Sequence, residues 1–234
     1  MKTSLARLLA SWAAILAFMT GAVAAGASNI GVLYSNGPVN GYVTGWNISG
    51  ANIVSDSFTL GAPSCTGACF ITGWSFGVWE SPGDVLSSLD YSITSLPNGG
   101  TLYAGGTIGQ PEGALSDTFL FNNNLGFEIH EITVSGLEIN LGPGTYWLNL
   151  SKAETPAGDP VFWDQNSGVG CTGYDGIGGG CPSKAFSNGS TIPSEDPDIY
   201  GYSSAGTVPE PGTLLLFSSS IPILAIAWRR RRRT

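Results

Sequence analysis

The sequence predicts an all-β domain, a two-sheet β-sandwich of jelly-roll-like kind, set between an amino-terminal signal peptide and a carboxy-terminal single transmembrane helix. Three observations carry this. The 234-residue chain holds 34 glycines and 14 prolines but only 11% charged residues, a turn-rich composition with few solvated helix surfaces. Between residues 28 and 207 it reads as short alternating apolar and polar runs broken by glycine, proline and asparagine. No helical period runs through that region. The chain thus divides into residues 1–27, 28–207 and 208–234, with one folded unit in the middle.

Residues 1–7 carry Lys2 and Arg7, residues 8–19 are almost wholly apolar, and Ala22-Val23-Ala24 offers the small residues that signal peptidase reads. An apolar run of about a dozen residues falls short of the roughly 20 that span a bilayer, so a cleaved secretory signal is expected rather than a retained helix. Cleavage after Ala24 or after Ala27 leaves a mature start near Ser28.

Strands are expected in order over 30–34, 42–48, 53–60, 71–80, 89–94, 101–104, 116–121, 127–134, 136–141, 146–150, 161–163 and 198–202. Within 71–80, Trp74, Phe76 and Val78 fall on one face and Gly73, Ser75 and Gly77 on the other, the period of a half-buried strand with Trp74 in the core. Leu137, Ile139 and Leu141 repeat this inward phase. Tyr146, Leu148 and Leu150 take it up again after Gly142-Pro143-Gly144, so a hairpin is expected there.

The carboxy terminus has three parts in a fixed order. Val208-Pro209-Glu210-Pro211-Gly212-Thr213 is extended and helix-averse. An apolar stretch follows to Trp228, interrupted by Ser218-Ser219-Ser220 and Pro222. Arg229, Arg230, Arg231, Arg232 and Arg233 then form a cytoplasmic stop by the positive-inside rule, which leaves residues 28–207 outside the membrane. The apolar stretch is short for a permanent anchor, and a cleavage motif ahead of an apolar tail follows the logic of processed sorting signals.

Pro209, Glu210 and Pro211, the apolar helix and the arginine run resemble the PEP-CTERM sorting domain of Gram-negative bacteria over about the last 27 residues. The resemblance implies recognition and processing by exosortase, a membrane transpeptidase-like cysteine enzyme, in bacteria that also make exopolysaccharide. It implies a substrate, not an enzyme. The tail is also labelled an ice-binding protein carboxy-terminal domain, a name that implies no ice binding. Residues 71–84, 141–150 with 161–168, and 192–201 resemble the uncharacterised β-rich ectodomain that recurs in such proteins, to which no activity attaches.

Seven of the nine cationic residues lie in the two terminal segments, so the middle region holds 16 acids against Lys152 and Lys184, a formal charge of −14. Such a surface repels phosphate backbones, which excludes nucleic-acid binding. Cys65, Cys69, Cys171 and Cys181 form an even set in an exported chain, and disulfides are expected. Pairing Cys65 with Cys69 and Cys171 with Cys181 is the simplest of the three connectivities. The cysteine spacings do not match the paired knuckles of structural zinc sites, so no metal and no cofactor are expected.

His130 is the only histidine and has Glu128 and Glu131 as neighbours, which favours a solvated strand edge and leaves a catalytic triad or two-histidine site without partners. Glu80, Asp84, Glu128 and Glu138 offer carboxylates for sugar hydrolysis, but that chemistry needs two at about 5 to 10 Å and spacing alone fixes no such pair. No catalytic residue is assigned. Asp159, Asp164, Asp175, Glu195, Asp196 and Asp198 supply oxygens of the kind calcium takes, yet no loop has the required ligand order, and solvated acidic loops are expected. Trp79, Trp147 and Trp163 fall out of phase with Trp74, Tyr146 and Phe162, which makes them candidates for glycan stacking on an outer sheet face, although tryptophans so placed more often pack between sheets or in a second-face core.

The expectation is an exported cell-envelope or extracellular-matrix protein, structural or adhesive in an exopolysaccharide layer. Its expected partners are signal peptidase, exosortase and the membrane. A carbohydrate-binding module is the alternative, and a carboxylate-pair glycoside hydrolase the third.

Overall fold

The computed structural model describes residues 30–42, 44–109, 114–166 and 183–204. The expected signal peptide, the carboxy-terminal tail, Cys171, Cys181 and Asp175 lie outside the described residues. Within them the chain is all-β: β1 (Gly31–Ser35), β2 (Gly45–Asn47), β3 (Ile53–Leu60), β4 (Cys69–Glu80), β5 (Ser88–Leu96), β6 (Gly99–Gly109), β7 (Leu115–Asn122), β8 (Glu128–Val134), β9 (Ile139–Leu141), β10 (Gly144–Glu154), β11 (Phe162–Asp164), β12 (Ala185–Ser187), β13 (Ser190–Ile192) and β14 (Asp198–Ser203).

These strands form two sheets that share one core. The first is organised by β4. One edge of β4 pairs with β14 and then β11, the other with β9 and then β8. β1, β2 and β7 extend it outward from β14, β11 and β8. The second sheet runs β13-β12-β3-β10-β5-β6. Trp74, Phe76 and Val78 of β4 face Phe58 of β3, Leu89 and Ile93 of β5, and Leu148 and Leu150 of β10 across a dry interior, with Trp74 against Tyr91 at a ring separation of 4.8 Å. Burying side chains of this size is the main favourable term holding the sheets together.

Two expectations are corrected here. β4 is not half-buried, because Gly73, Ser75 and Gly77 turn toward a face that the chain itself covers. Gly73 lies on the edge of β4 that β8 and β9 share, where the connection between them bulges past it, and a Cβ there would collide with the backbone oxygen of Val134. Residues 136–150 form no hairpin: β9 pairs with β4 in the first sheet and β10 with β3 and β5 in the second. Ile139, Leu141, Tyr146, Leu148 and Leu150 all belong to the one core, as alternation requires, but they enter it from opposite sheets.

Alternation assigns no strand to residues 185–192, where β12 and β13 close around Asn188 and Gly189, both at positive φ. Cys65 and Cys69 form a disulfide that staples the loop entering β4.

Candidate functional site

Strand phase explains where this protein buries its acids. On β4, Glu80 continues the inward series Trp74, Phe76, Val78. On β8, Glu128 and His130 precede Ile132 and Val134 in the same series. On β7, Asp117 follows buried Leu115. The registers place Glu80 opposite Glu128 and Val78 opposite His130, so the polar ends of three adjacent strands meet at one end of the core.

His130 is buried there, not on a solvated strand edge, because β8 lies between β4 and β7. Its Nδ1 is 2.5 Å from Asp117 Oδ1 and 3.8 Å from Glu80 Oε2, and its Nε2 is 3.5 Å from Glu128 Oε2. The Phe119 ring closes over the imidazole edge-on, at 5.6 Å. The loop after β4 fastens the cluster: Gly83 N donates to Glu128 Oε2 and Leu86 N to Asp117 Oδ2. Glu80 is 0% exposed and neither of its oxygens has a hydrogen-bond partner. Burial, then the charges of Asp117 and Asp84, push its carboxyl up to about 8. Ligand atoms of Glu80, Asp117 and His130 all lie within 4.8 Å of one another.

Thus Glu80, Asp84, Glu128 and His130 converge, and Asp117 joins them unforeseen. The signal for Asp117 is its place in phase with Leu115, a polar residue on an apolar period. Glu138 stands apart and exposed, beside a depression of about 430 Å³ lined also by Phe70 and Tyr202.

A second acidic group lies within the fold. Asp56, in phase with Val54 and Phe58 on β3, accepts from Glu195 N at 2.6 Å and from Asn36 Nδ2 at 3.4 Å. Asp164 accepts from Asn40 N, Gly41 N and Trp79 Nε1. Asp196 accepts from Gly77 N and Trp163 Nε1. Burial holds the carboxyls of Asp56, Asp164, Glu195 and Asp196 above the usual carboxylate range, Glu195 further through its acidic neighbours. Asp164, Glu195 and Asp196 are therefore not solvated loop acids. Asp159, on an exposed turn, is one.

The three tryptophans proposed as stacking surfaces are enclosed. Trp163 is wholly buried against Phe76, Trp79 packs on Phe127, and Trp147 is covered by Phe186. The indole N–H groups of Trp79 and Trp163 satisfy buried aspartates, which explains why both rings lie inside.

The described residues contain none of the tail, where sequence places Pro209, Glu210, Pro211 and the arginines. No curated protein matches the chain in sequence. A family model described as the PEP-CTERM protein-sorting motif matches residues 207–232 and so spans these residues up to Arg232. Such a motif implies export, a membrane-anchored sorting signal and processing by exosortase. The chain therefore carries a PEP-CTERM protein-sorting motif behind a β-rich domain of two sheets.

Proposed function

We propose that this is an exported cell-envelope or extracellular-matrix protein of a Gram-negative cell, non-catalytic, with a structural or adhesive role in an exopolysaccharide layer. The match to the sorting motif at residues 207–232 carries the reading. In this scheme signal peptidase removes residues up to Ala24 or Ala27, the apolar tail holds the chain in the membrane as a single helix, and exosortase then acts at Pro209-Glu210-Pro211. The sandwich, read as jelly-roll-like, is delivered to the surface or released.

The adhesive part of the reading is supported by two sheet margins that leave apolar side chains open. β7 exposes Phe119, Leu120 and Phe121, and β6 exposes Leu102 and Tyr103. Proteins that must stay apart normally blunt such edges.

Mass spectrometry of surface-exposed protein from an exosortase-positive host tests the scheme. Mature protein is expected to lack the peptide containing Arg229–Arg233. Replacing Pro209, Glu210 and Pro211 with alanine is expected to keep the anchor and block processing, whereas neutral residues in place of the arginines remove the cytoplasmic stop. Surface protein that retains its arginine peptide, or an alanine variant processed like wild type, overturns the reading.

A further inference from the structure

We propose that Glu80, Asp117 and His130 form a binding site for a divalent transition-metal ion of the zinc or manganese kind, at the end of the core beneath the loop that follows β4. Three features point to a cation. The ligand atoms lie within 4.8 Å of one another, so side-chain shifts of about an ångström bring them to the spacing of donors around one ion with bonds of about 2.1 Å. Glu80 is fully enclosed, aims Oε2 toward His130 Nδ1, and has no hydrogen-bond partner on either oxygen. A buried carboxyl group without a partner either keeps its proton or gives it up to a cation that takes its place, and metal coordination is the second of these. The third feature is the donor set. One imidazole nitrogen with two carboxylates suits zinc or manganese, while calcium and magnesium take oxygen alone.

Outer contacts fit the same role. Leu86 N holds the second oxygen of Asp117, leaving Oδ1 for the ion. His130 Nε2 has no hydrogen-bond partner, and Glu128 Oε2, itself held by Gly83 N, stands 3.5 Å away, where a small shift on metal binding lets it accept from that nitrogen and orient the ring. Binding places the ion between Nδ1 and Oδ1, which now share a hydrogen bond, and sends protons held in the cluster to solvent. The role is structural: an ion here ties the ends of β4, β7 and β8 to one another.

Because His130 is the only histidine, its ring reports this site alone. The full-length protein, purified in detergent without a polyhistidine tag and labelled with [15N]histidine, is titrated with zinc chloride. The expected result is saturation near one equivalent with a shift of the ring nitrogen signals, and a raised Tm. Manganese chloride is expected to broaden the same signals, and calcium chloride to leave them in place. Glu80→Gln preserves shape, and its expected effect on zinc affinity is a loss of roughly tenfold or more; Glu138→Gln, on the exposed surface, leaves it unchanged. Zinc that fails to bind wild type, or binds without moving the His130 signals, or binds E80Q and wild type alike, overturns the proposal, as does a calcium response equal to that of zinc.

Discussion

Gly77 shows how a single missing side chain positions an acid. Its N–H donates to both oxygens of Asp196 at 3.1 Å, and a Cβ at this position would stand 2.7 Å from Asp196 Oδ2 and 3.0 Å from Asp164 Cβ. Gly77→Ala is therefore expected to cost about 1 to 3 kcal/mol through overpacking, seen as a lower urea midpoint with unchanged slope. A midpoint equal to wild type would show that the covering segment yields freely. The inward phase of Trp74, Phe76 and Val78 was legible from alternation, and so in principle were Glu80, Asp117, Asp56 and His130, polar residues that keep step with apolar ones. Alternation names the face but not what covers it. For that reason alternation left the out-of-phase tryptophans open between an outer face and a second core, and the indole N–H groups of Trp79 and Trp163, which two buried aspartates take up, go with the second.

Among the elements, the long strands were legible and the pairings were not. β3 matches its expected span from end to end, since Ile53 to Leu60 is bounded by residues that break alternation. The β9–β10 connection misled because a glycine-proline-glycine turn serves a crossover between sheets as well as it serves a hairpin. The opposite error concerns β12 and β13, three residues each, too short and too rich in serine to show a period. Their Asn188-Gly189 turn is nonetheless a hairpin signal, with both residues at positive φ. Asn188 also accepts from Ile53 N and donates to Asn52 Oδ1, which ties the turn to β3. Asn188→Ala is expected to cost about 1 to 2 kcal/mol and to raise amide exchange in β12 and β13 while β10 stays protected. Equal exchange in both variants would separate the turn from the stability of this edge.

At the scale of the molecule, the interior acids set the response to pH. Asp56, Asp164, Glu195 and Asp196 hold their protons more tightly when folded than when unfolded, so the native state binds more protons between the unfolded value of about 4 and their raised folded values. Stability from these groups is complete below that value and declines as pH rises through their folded values. The expected outcome is a Tm higher near about pH 5 than near about pH 8, opposite to proteins whose carboxylates gain ion pairs on folding. Scanning calorimetry across that range decides it, and a Tm that is flat or increases with pH contradicts the assignment.

β14 has a further consequence for a chain whose sorting motif follows it. It is the last described strand before the sorting motif, and it is bonded on one side to β1 and on the other to β4, the spine of its sheet. If the tail holds the chain at a membrane, a pull directed along β14 loads the bonds to β1 and β4 together in shear, not one after another.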